Sequence, residues 1–66
     1  MAELDWFLAV GQHVWARAET RKAAERDVLR NGGQKIIAVY RCTDDTFVDN
    51  FGFLTYPQDA QPEKLD

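Results

Sequence analysis

Only one stretch of this chain is patterned as an α-helix, and the rest has to be arranged around it. "ETRKAAERDVLRNGG" (residues 19–33) opens on Thr20, a good N-cap, and continues through helix-forming residues to Arg30. Asn31-Gly32 then supplies a left-handed stop, and Arg30 sits favourably against the carbonyl end of the helix dipole. The apolar stripe is thin: Thr20, Ala24 and Val28, with Ala23 beside them. Small alanines let such a helix lie close to a sheet. Lys22, Arg26 and Arg30 fall on one exposed line at i, i+4 spacing.

The flanking segments read as strands. "LDWFLAV" alternates and is rich in aromatic and branched residues. Gly11-Gln12 follows, and Gly at the first central position suits a two-residue type II′ turn, with "HVWARA" returning beside the first strand. The rival is one long strand bulged at Gly11. "QKIIAVYRC" and "FGFLTYP" are the next two strands, separated by a tight Asp44-Asp45 turn or by a wider loop reaching Asn50. The fold class is α+β. A single helix covers one face of a small antiparallel sheet, in the order β-β-α-β-β, or β-α-β-β if the first hairpin is one strand. Residues 1–57 form the domain, and 58–66 read as an acidic, flexible C-terminal tail.

At 66 residues the chain lies near the lower limit for burying a useful core. It has one cysteine and one histidine, so neither a disulfide nor a zinc site can staple it. Stability must come from packing, helped or not by self-association. No signal peptide or membrane-length apolar run is present, and a cytoplasmic location follows as the default.

One helix leaves a sheet face uncovered. In the first hairpin Phe7, Ala9, Val14 and Ala16 point one way, the small-residue side that suits the helix. Trp6, Leu8, Val10, His13, Trp15 and Arg17 point the other way, with Trp6 across from Arg17 and Leu8 across from Trp15. The second hairpin is also apolar on both sides: Ile37, Val39 and Leu54 on one, Ile36, Tyr40, Phe51 and Phe53 on the other. Something is expected to cover the second face. Either the twisted sheet curls and the tail packs over it, making the tryptophans ordinary core, or it is a dimer or partner interface.

The formal charge of −3 is unevenly laid out. Residues 17–41 hold seven basic against three acidic side chains, and residues 42–66 hold six acidic against one basic. Such a two-ended molecule bears on steering and partner choice. His13 and Cys42 have no local partner, so no nucleophile–base–orienter set is visible and an enzyme is not expected. Asp44, Asp45, Asp49 and Asn50 lack the spacing and closing glutamate of a calcium loop. No metal or other cofactor is expected. A basic helix can meet phosphate, so Lys22, Arg26 and Arg30 are the candidate nucleic-acid contacts. Glu25, Asp27 and the overall acidity weigh against that use. The acidic end is the better candidate. Asp44, Asp45 and Asp49, backed by the tail acids Asp59, Glu63 and Asp66, can occupy a basic groove meant for phosphates. Phe47 and Tyr56 would anchor beside them, and Trp6 and Trp15 would add to a partner or dimer face. Solvated turn residues are the plainer explanation of the same aspartates.

In size, a Met1 start, a one-helix-on-sheet layout and an acidic end, the chain resembles the small acidic proteins that bacteriophages use against host machinery. "HVWARAETRKAAERDVL", a strand running into a Thr-capped helix, is similar to segments of many such proteins. Anti-CRISPR proteins and phage inhibitors of bacterial RNA polymerase are the groups in question. The likeness is one of type, carried by no specific motif, and it transfers no functional residue. It implies inhibition by occlusion in a bacterial cytoplasm: binding a defence or CRISPR-Cas protein complex and blocking its nucleic-acid-binding surface. A homodimeric interaction or antitoxin-like module is the alternative, and nucleic-acid binding through the basic helix comes third.

Overall fold

A computed structural model of the protein describes residues 3–65. One helix, α1 (Arg21–Arg30), packs against a four-stranded antiparallel sheet ordered β2-β1-β3-β6, from β1 (Trp6–Gly11), β2 (Val14–Ala18), β3 (Ile36–Cys42) and β6 (Glu63–Lys64). A separate two-stranded hairpin joins β4 (Phe47–Val48) to β5 (Leu54–Thr55). The fold is α+β, and the helix crosses from the outer strand β2 to β3 on the far side of β1.

The helix begins and ends where its local chemistry dictates. Thr20 Oγ1 accepts from the Ala23 N–H at 3.1 Å, and the Thr20 carbonyl accepts from Ala24 N–H at 3.1 Å. At the other end Gly32 adopts φ +92, its N–H donating to Leu29 O at 3.4 Å and the Gly33 N–H donating to Val28 O at 2.9 Å. That pair of bonds is a Schellman stop. Ala24 and Val28 are the buried positions of the helix, as the thin stripe predicts. They meet Ala9 and Val39 in the central cluster, ringed by Phe7, Val14, Ala16, Ala18, Ile36 and Leu65.

The first hairpin exists, but its turn lies one residue later than expected. Gly11 pairs with Val14, leaving Gln12 and His13 as the turn, with His13 at φ +65. Leu8 therefore faces Arg17 and Val10 faces Trp15, instead of Trp6 facing Arg17 and Leu8 facing Trp15. The shift is two residues in pairing, an even number, so every side chain that remains in the strands keeps its expected face, and only His13 leaves the strand for the turn. Gly11 is buried in the strand because α1 needs the space: a Cβ there would collide with Val28 Cγ1 and lie 3.1 Å from Lys35 O.

Two longer-range expectations are corrected. β3 does not pair with "FGFLTYP". Its neighbours are β1, with a register shift at Val10/Gly11, and β6. That shift places Ile36 against the core beside Val39, while Ile37 is exposed. The 58–66 stretch, expected as a loose tail, supplies the outer strand: Tyr40 pairs with Lys64 and Arg41 with Glu63, and Leu65 N–H donates to Val39 O at 2.8 Å. Asp66 lies outside the described residues.

The face opposite the helix is covered by the chain itself, but by the segment that follows β3, while the 63–64 part of the expected covering tail lies at the sheet edge. Leu8 and Cys42 are fully buried there, and Ala38 nearly so. After β3 the backbone turns at Thr43–Thr46, where Thr46 N–H donates to Thr43 O at 3.3 Å, and carries the fully buried Thr46 back over the sheet. The Arg17 guanidinium donates to the Thr46 carbonyl and ties this segment to β2. Burial pushes the Cys42 thiol above its ordinary value of 9.0, partly offset by the Thr46 side chain and the Arg17 charge. A neutral thiol is thus favoured in the fold. Its contribution to stability is full below 9.0 and is lost as pH rises through the higher folded value. Denaturant midpoints measured on either side of that ordinary value should fall with rising pH, and Cys42→Ala should flatten the fall. An unchanged slope in the variant would assign it to other groups.

Candidate functional site

The sequence-level candidates fall into three places in the structure. Trp6 and Trp15 are half-buried on the face that the 43–48 segment covers. Trp15 carries the Arg17 guanidinium 5.8 Å from its ring centroid, a cation–π distance. Lys22, Arg26 and Arg30 are exposed along the outer surface of α1, where they share a shallow groove with Glu25 and Leu29. Glu25 is salt-bridged to Arg21 at 3.5 Å, so this surface is mixed in sign.

The third place is the β4–β5 hairpin and the turn before it. Asp44 and Asp45 are exposed, the Asp45 N–H donating to Thr43 Oγ1 at 3.3 Å. Phe47 and Tyr56 are 41% and 40% exposed, so both present ring surface to solvent. Two residues assigned by sequence pattern to a sheet face stand out further: Phe51 is 86% and Phe53 69% exposed. The signal for them was present in Asp49-x-x-Gly52, an acid at the first and glycine at the fourth position of a turn. Gly52 N–H donates to Asp49 O at 3.0 Å with Gly52 at φ +85, which lifts Asn50 and Phe51 to the tip.

Asp49 has a different role from Asp44 and Asp45. Its Oδ1 accepts from both the Phe51 and the Phe53 N–H, each at 2.9 Å, while its own N–H donates to Phe53 O at 2.9 Å. This carboxylate builds the loop. Asp49 is therefore not a freely solvated turn residue like Asp44 and Asp45, because it has backbone partners to lose. Asp49→Ala should loosen the hairpin at a cost of about 1–2 kcal/mol. Amide exchange at Phe51 and Phe53 should then quicken, while the Asp44→Lys, Asp45→Lys double variant leaves it unchanged. Equal exchange in both variants would mean that the carboxylate is dispensable.

Between the two hairpins lies an open cleft of about 450 Å³, walled by Trp15 and His13 on one side and by Val48, Asn50 and Phe51 on the other. His13 sits at the turn end of β1, whereas Cys42 is paired with Trp6 at its opposite end, so the two cannot act together. Among the described residues no three His, Cys, Asp or Glu side chains converge as metal ligands would. No helix of the described residues is long and apolar enough to cross a membrane. Comparison with family models, curated proteins and solved structures returned no match.

Proposed function

We propose that this protein is a non-enzymatic binding module whose β4–β5 hairpin docks on a basic protein surface. The observation that supports it is a short hairpin, held in shape by Asp49, that exposes Phe51 and Phe53 beside the exposed acids Asp44 and Asp45. Phenylalanine exposed to this degree raises the cost of hydration and is found where a partner covers it. The acids give direction to the encounter and exclude acidic partners, including nucleic acid. A basic groove that normally holds phosphate has the matching chemistry. Occlusion of such a groove in a bacterial defence complex, CRISPR-Cas included, is the form of inhibition this reading favours. Trp6 and Trp15, half-buried on the sheet, take a supporting part.

The test is affinity capture from bacterial lysate with two immobilised proteins. One is the native chain and the other carries Asp44→Lys, Asp45→Lys, Phe51→Ser and Phe53→Ser, all on exposed side chains. The native chain should retain one complex, in a salt-sensitive manner, that the variant does not. Retention of the same complex by both would remove the hairpin from the interaction. Tight binding of the native chain to duplex DNA, lost on Arg26→Ala and Arg30→Ala, would favour the helix surface instead.

A further inference from the structure

We propose that β2 is a pairing edge through which two copies of this chain join their sheets. In the order β2-β1-β3-β6 the outer strands are β2 and β6. β6 is two residues long, Glu63 and Lys64, both exposed and charged, which blunts that edge. β2 has five residues, no proline, and an unbroken register with β1.

The hairpin fixes which of its backbone groups point outward. Gly11 and Val14 flank a two-residue turn and form a hydrogen-bonded pair, so Ala9–Ala16 and Phe7–Ala18 are the next such pairs. The N–H and C=O groups of Trp15 and Arg17 therefore point away from β1. No backbone bond from another element of the described residues reaches them. A second β2, antiparallel and centred on Ala16, presents the same groups in the same alternation. Each Trp15 then exchanges hydrogen bonds with Arg17 of the other copy.

The side chains are self-complementary in that register. On the helix side Val14 meets Ala18 and Ala16 meets its own copy, all small. On the other side Trp15 lies beside Arg17 across the strands, the contact the chain already makes internally at 5.8 Å. Centring on Arg17 instead opposes two guanidinium groups, and centring on Trp15 leaves Arg17 facing the turn residue His13. An arginine in an edge strand commonly guards it, but here the guanidinium is bound to Thr46 O and turned over the sheet. The two-fold runs perpendicular to the sheet, so both β4–β5 hairpins lie on the same side of the pair.

Sedimentation equilibrium from micromolar to near-millimolar concentration should show a monomer–dimer equilibrium. Hydrogen exchange at the Trp15 and Arg17 amides should slow as concentration rises, with no such change at Gln12. Trp15→Pro removes one outward donor and no bond to β1, and should weaken the dimer roughly tenfold or more. A monomer throughout would overturn the proposal. So would a dimer whose Trp15 and Arg17 amides exchange at the monomer rate, which would place the contact elsewhere. The exchange measurement needs no variant, so it decides even if Trp15→Pro does not fold.

Discussion

Replacing Val28 with aspartate should leave no folded protein, read as loss of the cooperative denaturant transition and of the native circular dichroism spectrum. Val28 is fully buried and meets Ala9, Ala24 and Val39, none of which can partner a carboxylate. An unpaired charge in such a site costs several kcal/mol. A domain this small has about 5 kcal/mol in total. Val28→Ala is the control: it removes two methyl groups, costs about 2 kcal/mol and should leave a folded, weakened protein. A soluble Val28→Asp protein with a native spectrum would show that α1 docks by another face.

The second large effect concerns two adjacent glycines that differ in why they are glycine. A Cβ on Gly33 would collide with Val28 Cγ1 and lie 2.8 Å from both Val14 Cγ1 and the Val28 carbonyl. Backbone and fully buried side chain cannot both give way, so Gly33→Ala should cost about 2–3 kcal/mol through overpacking. Gly32 has nothing within 4 Å of its Cβ position but sits at φ +92. Gly32→Ala therefore carries only the left-handed backbone penalty, about 1 kcal/mol. Urea midpoints should fall in the order native, Gly32→Ala, Gly33→Ala. If Gly32→Ala proves the more damaging, α1 stands further from the sheet than described.

What was legible in the sequence was local or obeyed parity. Thr20 and Asn31-Gly32 mark the ends of α1 because a cap depends on a few neighbouring backbone groups. The two faces of the β1–β2 hairpin were legible because strand side chains alternate, and a two-residue slip preserves the alternation. Gly11 misled for a physical reason. Glycine serves turns and also close approaches, and here Val28, distant in sequence, claims it.

Pairing at long range was not legible. Glu63-Lys64 is too short and too charged to carry a strand pattern, yet it closes the sheet against β3. With β3 satisfied by β1 and β6, "FGFLTYP" has no place in that sheet and makes its own hairpin with Phe47–Val48. The same error hid Phe51 and Phe53, which alternation put on a sheet face and the Asp49–Gly52 turn puts in solvent. Asp44, Asp45, Phe47 and Tyr56 were legible as candidates because an acidic, aromatic stretch between strands has few ways to be hidden.

Amide chemical-shift mapping tests most directly whether the β4–β5 hairpin is the binding surface, as proposed. The isotope-labelled chain is titrated with the complex or subunit that the native protein captures. The largest shifts and line broadening should fall on residues 44–56, centred on Phe51 and Phe53, and should shrink as salt rises. Perturbation centred on Lys22, Arg26 and Arg30, with residues 44–56 unmoved, would contradict the account.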